Sequence, residues 1–142
     1  MNVLITGSSG QIGTNVALGL LARGDRVLGI DCRDNQWTTD FETIILDLRS
    51  AVFDAFPPGG DFDVVLHLAA NAKVFELVEH PERALDNVTM LFQVLDYCRR
   101  NELPIVFASS REVYGDIHRH VTDEAAADFV VAESPYSASK IA

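Results

Sequence analysis

Short runs of aliphatic and β-branched residues alternate along this chain with longer stretches whose apolar positions recur every three or four residues. Asn2 to Thr6 (NVLIT) is the first run, and it closes on a glycine cluster as a buried parallel strand does. From Gln11 to Ala22, Ile12, Val16, Leu20 and Leu21 keep helical spacing, and Arg23-Gly24 ends the helix. Arg26 to Asp31 (RVLGID) predicts a second strand, while residues 32–41 are polar and irregular. Thr43 to Leu46 predicts a third strand, closed by Asp47. Residues 49–56 predict a short helix before the break at Pro57-Pro58-Gly59-Gly60.

The second half repeats the alternation. Asp63 to Leu68 (DVVLHL) is a fourth strand. Pro81 stands where a helix can begin, and Ala84, Val88, Leu91, Phe92, Leu95, Tyr97 and Cys98 form an apolar stripe running to about Arg100. Pro104 to Ala108 is a fifth strand, and Ser134 to Ala142 reads as the first turns of a last helix. Strands alternating with helices imply parallel βαβ units joined by right-handed crossovers. The expected fold class is α/β, a doubly wound Rossmann-type parallel sheet. No internal repeat or linker divides residues 1–142, which read as one domain.

Composition sets limits on this picture. At 142 residues and 48% hydrophobic, the chain is long enough to bury a real core. No apolar run approaches the roughly 20 residues of a membrane span, and Met1 leads into a strand, so no membrane association is expected. Cys32 and Cys98 suit a reducing, cytoplasmic setting, and their spacing suggests neither a metal site nor a disulfide framework. A net charge of −10 argues against nucleic acid as a partner, because phosphate neutralisation needs the opposite sign. Acidity ordinarily serves solubility. Only Lys73 and Lys140 are lysines among the 11 basic residues, a weak pointer to a high-salt cytoplasm.

Chemistry enters at Thr6-Gly7-Ser8-Ser9-Gly10-Gln11-Ile12-Gly13, a G-x-x-G-x-x-G pattern between a strand and a helix. Glycine is needed where the chain turns tightly, where backbone approaches a pyrophosphate and where helix packs on strand. The helix start beyond it offers N–H donors and a positive dipole end to an anion. A glycine-rich turn without a ligand has the same spacing. Asp31 argues for the dinucleotide, because it closes the second strand about twenty residues on, where a ribose 2′-hydroxyl is held. A carboxylate accepts from that hydroxyl and repels a 2′-phosphate, so NAD is expected over NADP. Arg33 nearby softens that preference unless it is simply solvated.

Tyr136 and Lys140 stand at i and i+4 in Tyr136-Ser137-Ala138-Ser139-Lys140, on one helix face. A phenol ordinarily titrates near pH 10, and an adjacent ammonium favours its ionised form. An incidental tyrosine and lysine on a surface helix would look alike. Ser109-Ser110 strengthen the catalytic reading, since they follow the fifth strand at the carboxyl edge where open α/β sheets bind ligands.

With TGSSGQIG, Asp31, Asp47-Leu48, His67-Leu68-Ala69-Ala70, Asn87-Val88, Ser109-Ser110 through Val113-Tyr114-Gly115, and YSASK in order, the chain resembles the extended short-chain dehydrogenase/reductase family of NAD-dependent sugar epimerases and dehydratases. The resemblance implies that Gly7, Gly10, Gln11, Ile12 and Gly13 hold the pyrophosphate and Asp31 the adenosine ribose. It places Asp47 and Leu48 beside the adenine, and Leu68, Ala69 and Ala70 beside the nicotinamide, with Asn87 near the cofactor. Ser110, Tyr136 and Lys140 match the catalytic set, and Tyr136 and Lys140 also reach the cofactor. Lys73, Ser110 and Glu112 are the substrate-side candidates, and no metal is implied.

The implied function is NAD-dependent epimerisation of a nucleotide-sugar, UDP-linked as in UDP-hexose 4-epimerases, through a transient keto-sugar. Dehydratases of the family resemble Thr-Asp-Glu where this chain has Ser110-Arg111-Glu112, and an arginine cannot replace the missing acid. Glu112 matches the glutamate of UDP-glucuronate decarboxylases, so a decarboxylase remains the nearest rival, with a dehydratase behind it. An NAD-binding module without catalysis is the rival of another class. Family members run roughly twice as far, which implies a sheet truncated before its last strands and before the substrate domain. Residues 1–142 alone are then expected to bind NAD weakly, turn over no nucleotide-sugar and melt below the full-length protein. The full-length protein is expected to be a homodimer, through the helices beginning near Pro81 and Ser134.

Overall fold

A computed structural model describes residues 1–50, 56–57, 61–114 and 132–142. The elements are β1 (Asn2–Thr6), α1 (Gln11–Ala22), β2 (Arg26–Asp31), β3 (Glu42–Ile45), β4 (Val64–His67), α2 (Val74–Glu79), α3 (Glu82–Asn101), β5 (Ile105–Phe107), a 3-10 turn at Arg111–Tyr114, and α4 (Pro135–Ile141). The five strands form one sheet in the order β3-β2-β1-β4-β5, every neighbouring pair parallel. The expected α/β parallel sheet is therefore present. Its strand order reverses between β1 and β4, and the carboxyl ends of strands at such a reversal form the ligand crevice of open α/β sheets.

The alternation of side chains along β1 explains its apolar run Val3-Leu4-Ile5. Val3 and Ile5 join Ala17 of α1 and Phe41 in one buried cluster. Leu4, pointing the other way, joins Ile30, Val65, and Val94, Tyr97 and Cys98 of α3 in a second. A strand buried on both faces has no polar side to show. Tyr97 hydroxyl donates to the Pro57 carbonyl at 2.8 Å, and burial pushes its phenol up to about 12. Burial likewise pushes the Cys98 thiol up to about 11, so it is an inert core group; Cys32 is exposed.

The described residues group into two compact units. One comprises 1–70 and 89–108, and carries the sheet and α1; the other comprises 71–88 and 109–142, and carries α2, the 3-10 turn and α4. α3 contributes its first turns to the second unit and the remainder to the first.

Several boundaries differ from the sequence reading. β3 begins at Glu42, because pairing with Leu28 extends the ladder toward the chain start, and it ends at Ile45. α2 was not anticipated: only Leu77 is buried in its six residues, while Phe75 and Val78 are exposed, so no amphipathic period marks it. Most of the helix expected over 49–56, together with Pro58, Gly59, Gly60 and Gly115, lies outside the described residues. The α3 stripe divides into two: Met90, Val94, Tyr97 and Cys98 are buried, whereas Leu85, Phe92 and Leu95 are exposed.

α3 ends with Glu102 in the left-handed region (φ 53°), and Leu103 N–H closes a six-to-one bond to the Cys98 carbonyl at 2.9 Å. Glycine is the usual residue there. Glu102→Gly removes about 1–2 kcal/mol of left-handed strain. The extra unfolded-state freedom of glycine returns about 0.4–1 kcal/mol of that. The urea midpoint should therefore rise modestly, and an unchanged or lower midpoint contradicts this description of the cap.

Candidate functional site

The loop after β1 is held by its own backbone. Gly7 N–H donates to the Ile30 carbonyl at 2.8 Å, and its φ of +74° is one that side chains rarely adopt. A Cβ there would stand 2.6 Å from Ala69 N. A Cβ on Gly13 would overlap the Gly7 carbonyl oxygen and stand 2.8 Å from Ser8 Cα. Gly10 is the N-cap of α1, with no side chain capping it and no acidic residue in the first turn. Among the described residues no side chain caps the first-turn N–H groups, and Gln11 and Ile12 are exposed beside them.

Asp31 ends β2 with 9% of its surface exposed. Its Oδ2 accepts from Ser9 N–H at 2.9 Å and its Oδ1 from Arg33 N–H at 3.2 Å. Each oxygen keeps lone-pair capacity for a ribose hydroxyl. Leu68, Ala69 and Ala70 follow β4, half-buried. They are fastened to β1: Leu68 N–H donates to the Thr6 carbonyl at 3.0 Å and Ala69 N–H to Thr6 Oγ1 at 3.4 Å. Thr6 Oγ1 also lies 2.7 Å from His67 Nδ1.

Asp47 is held by Arg49, whose hydrogen bonds keep its carboxyl below the usual range. The Leu48 side chain is committed to the core, so only its peptide is left to face an adenine. An uncapped helix start and a glycine-lined turn offer N–H donors to a diphosphate, and an oriented carboxylate offers an acceptor to a ribose hydroxyl. The residues of the first unit fit NAD.

The second unit holds the tyrosine. Pro135 stands in the first turn of α4, and Ser134 caps it reciprocally with Ser137. Ser137 N–H donates to Ser134 Oγ at 3.0 Å, and Ser134 N–H to Ser137 Oγ at 2.9 Å. This cap fixes where Tyr136 starts. Tyr136 is buried, and Lys140 Nζ lies over its ring, 5.9 Å from the centroid. Burial lowers the Lys140 pKa, because a desolvated ammonium is disfavoured.

Asn87 is buried as well. Its Oδ1 accepts from Asn71 N–H at 2.7 Å, while Nδ2 donates to the Asn71 carbonyl at 3.1 Å and to Ser139 Oγ at 3.2 Å. Ser139 Oγ donates to the Tyr136 carbonyl at 2.7 Å. The amide therefore grips the tyrosine helix and spends both its N–H donors on protein. α4 also packs against the 3-10 turn, where Ser110 Oγ accepts from Glu112 N–H at 3.2 Å. Arg111 reaches the Glu112 carboxylate at 3.4 Å. Lys73 is turned to Glu76 at 2.8 Å, and Arg83 takes the same carboxylate at 2.7 Å, so a structural ion pair occupies this substrate-side candidate.

Some contributors were missed from sequence. Ser134 and Ser137 form the S-x-x-S version of a capping box, a local pattern that brackets Tyr136. Ser9 and Asn35 bind the glycine loop to the segment after β2, and a polar loop gives no sign of which residue does so.

Comparison with known proteins adds the following. The model of the NAD dependent epimerase/dehydratase family matches residues 3–142. UDP-glucuronate 4-epimerase 1 of Arabidopsis thaliana is 35% identical over 133 residues, covering 81% of this chain and 31% of that protein. A solved UDP-glucose 4-epimerase from Stenotrophomonas maltophila, with bound NAD and formylated UDP-arabinopyranose, superposes at a TM-score of 0.87 with 27% identity over 99% of this chain and 46% of that one. A solved NAD-dependent NDP-hexosamine 5,6-dehydratase of tunicamycin biosynthesis gives 0.84 with 29% identity, covering 99% and 46%. The chain spans less than half the length of these relatives.

Proposed function

This chain belongs to the NAD dependent epimerase/dehydratase family, and on that premise we propose that it carries the cofactor-holding and acid–base residues of a nucleotide-sugar epimerase. NAD is the cofactor of the family. One observation carries the proposal: Tyr136 is buried on α4 with the Lys140 ammonium lying over its ring. A phenol so placed can exchange a proton with a sugar hydroxyl.

Gly7, Gly10, Gln11, Ile12 and Gly13 hold the pyrophosphate, and Asp31 holds the adenosine ribose. NAD, when bound, supplies a reversible hydride acceptor. Tyr136 removes the hydroxyl proton as the sugar is oxidised and returns it after the keto-sugar has turned over. Ser110 hydrogen-bonds the same oxygen. Lys140, one helical turn on, holds the cofactor ribose. The relatives named above act on UDP- or NDP-linked sugars, which supports a nucleotide-sugar substrate. Incubation with UDP-glucose, UDP-glucuronate and UDP-N-acetylglucosamine, followed by NMR, tests this; a 4-epimer supports it. A keto product points instead to the dehydratase, and loss of carbon dioxide to the decarboxylase that Glu112 suggests.

Asp31 makes a cofactor prediction. Because its oriented carboxylate faces where a 2′-phosphate would sit, NAD should bind at least about tenfold more tightly than NADP. Asp31→Ser should narrow that ratio. Calorimetric titration with both cofactors checks it, and equal affinities contradict the role given to Asp31.

The protein should also dimerise and act in the cytoplasm. A helix that only covers its own sheet needs one apolar face. α3 has a second, with Leu85 67% and Phe92 66% exposed at i and i+7. Among the described residues no helix is long and apolar enough to cross a membrane. Sedimentation of the longest product of the gene at micromolar concentration should give a dimer, and Phe92→Glu a monomer. A wild-type monomer counts against this surface.

A further inference from the structure

The segment after β2 carries one side chain whose hydrogen-bonding capacity is fully used. Asn35 Nδ2 donates to Thr14 Oγ1 at 2.9 Å and to the Ser8 carbonyl at 3.3 Å. Its Oδ1 accepts from Trp37 N–H at 2.9 Å and Thr38 N–H at 3.3 Å. Two donors and two lone pairs are the whole inventory of an amide. Thr14 Oγ1, in the first turn of α1, also donates to the Ser8 carbonyl at 3.0 Å, so Ser8, Thr14 and Asn35 close a triangle. Beside it, Ser9 Oγ donates to the Arg33 carbonyl at 2.9 Å and Ser9 N–H to Asp31. Ser8, Ser9 and Thr14 are all buried.

These bonds join two segments that serve different parts of one ligand. The glycine loop and α1 face a pyrophosphate, and Asp31 faces a ribose. The distance between those two groups in an adenosine diphosphate is set by the ligand, so a protein that binds it well must fix the same distance in advance. Otherwise ordering of the segment is charged against binding.

We propose that Asn35 is a positioning residue for the dinucleotide. By tying residues 35–38 to Ser8 and Thr14, it fixes the Asp31 carboxylate at the reach of an adenosine ribose whose pyrophosphate lies on the glycine loop. Asn35 has no donor left for the cofactor and acts through Asp31. The proposal rests on the NAD reading above, and its test separates the two.

The test uses the chain itself, NAD and the single tryptophan, Trp37, which is 77% exposed and bonded to Asn35 through its backbone. Asn35→Asp keeps an acceptor for the Trp37 and Thr38 N–H groups but loses both donors to Ser8 and Thr14. Thr14→Val breaks the same triangle from the other side without touching the polar segment. Each variant should weaken NAD about 10- to 100-fold, on the scale of ordering several side chains at binding. In the cofactor-free protein, Trp37 anisotropy should fall for Asn35→Asp, and saturating NAD should restore it. In an Asp31→Ala background, Asn35→Asp should lose most of its effect on NAD affinity, because the group it positions is gone.

Wild-type or near wild-type NAD affinity in both variants, with Asp31→Ala still impaired, overturns the proposal. So does full additivity of Asn35→Asp with Asp31→Ala. Failure of Asp31→Ala itself to weaken NAD overturns the reading beneath it.

Discussion

Tyr136→Phe should lower turnover of a nucleotide-sugar by about 10²–10⁴-fold, the range that a positioned general acid–base group supplies. The substitution removes one oxygen and keeps the ring, so the buried packing of α4 and the Lys140 contact should survive. NAD affinity should change little, because the glycine loop and Asp31 are untouched. The expected result is thus a loss in kcat with the melting temperature and NAD binding preserved, measured in the longest product of the gene. A Tyr136→Phe protein with near-normal turnover would leave the serine-capped helix as mere scaffold and remove the chemistry proposed for it.

Gly13→Ala should do the opposite, acting on binding and folding rather than on the proton. The added Cβ would overlap the Gly7 carbonyl and crowd Ser8 Cα, and backbone atoms cannot swing aside as a side chain can. Relief requires α1 to move off β1 or the loop to open. Either moves the N–H groups of the first turn, to which the proposed function assigns the pyrophosphate. Overpacking of this kind typically costs about 1–3 kcal/mol. NAD affinity should fall by more than about 100-fold if the loop gives way, the equivalent of roughly 2.7 kcal/mol.

Gly19, in the same helix, is the control. Nothing lies within 4 Å of a Cβ built there, so Gly19→Ala should stabilise by up to about 1 kcal/mol. Denaturant unfolding and NAD titration of both variants decide the matter. Equal behaviour of the two would mean that close approach at Gly13 is irrelevant.

What the sequence made legible follows from how strongly each element is determined locally. β1 and β2 read clearly because Val3, Leu4 and Ile5, and Val27 and Leu28, send apolar side chains to both faces of the sheet, and α1 because Gly10 precedes it and Gly24 follows it. Asp31 was readable because its place at the end of a strand is a matter of counting. α2 was hidden, since a six-residue helix with Phe75 and Val78 exposed has no buried face to leave a period. The division of α3 into two apolar faces was hidden for a different reason. Sequence shows that Phe92 and Val94 are both apolar, and only packing shows that one is covered and the other is not.

The site was legible as an inventory and not as a network. Tyr136 and Lys140 announce themselves by spacing. That Ser139 fastens the helix to Asn87 and that Asn35 ties two loops together depend on residues far apart in the chain. No local pattern encodes those pairings.

In the proposed function Tyr136 and its neighbours serve a reversible oxidation in which the same hydrogen leaves and returns. UDP-glucose carrying deuterium at carbon 4, incubated in ordinary water with the longest product of the gene and NAD, tests it directly. The expected product is the 4-epimer with deuterium retained at carbon 4 and no net NADH. Deuterium exchanged for solvent hydrogen, or NADH accumulating with a keto-sugar as the end product, would contradict it.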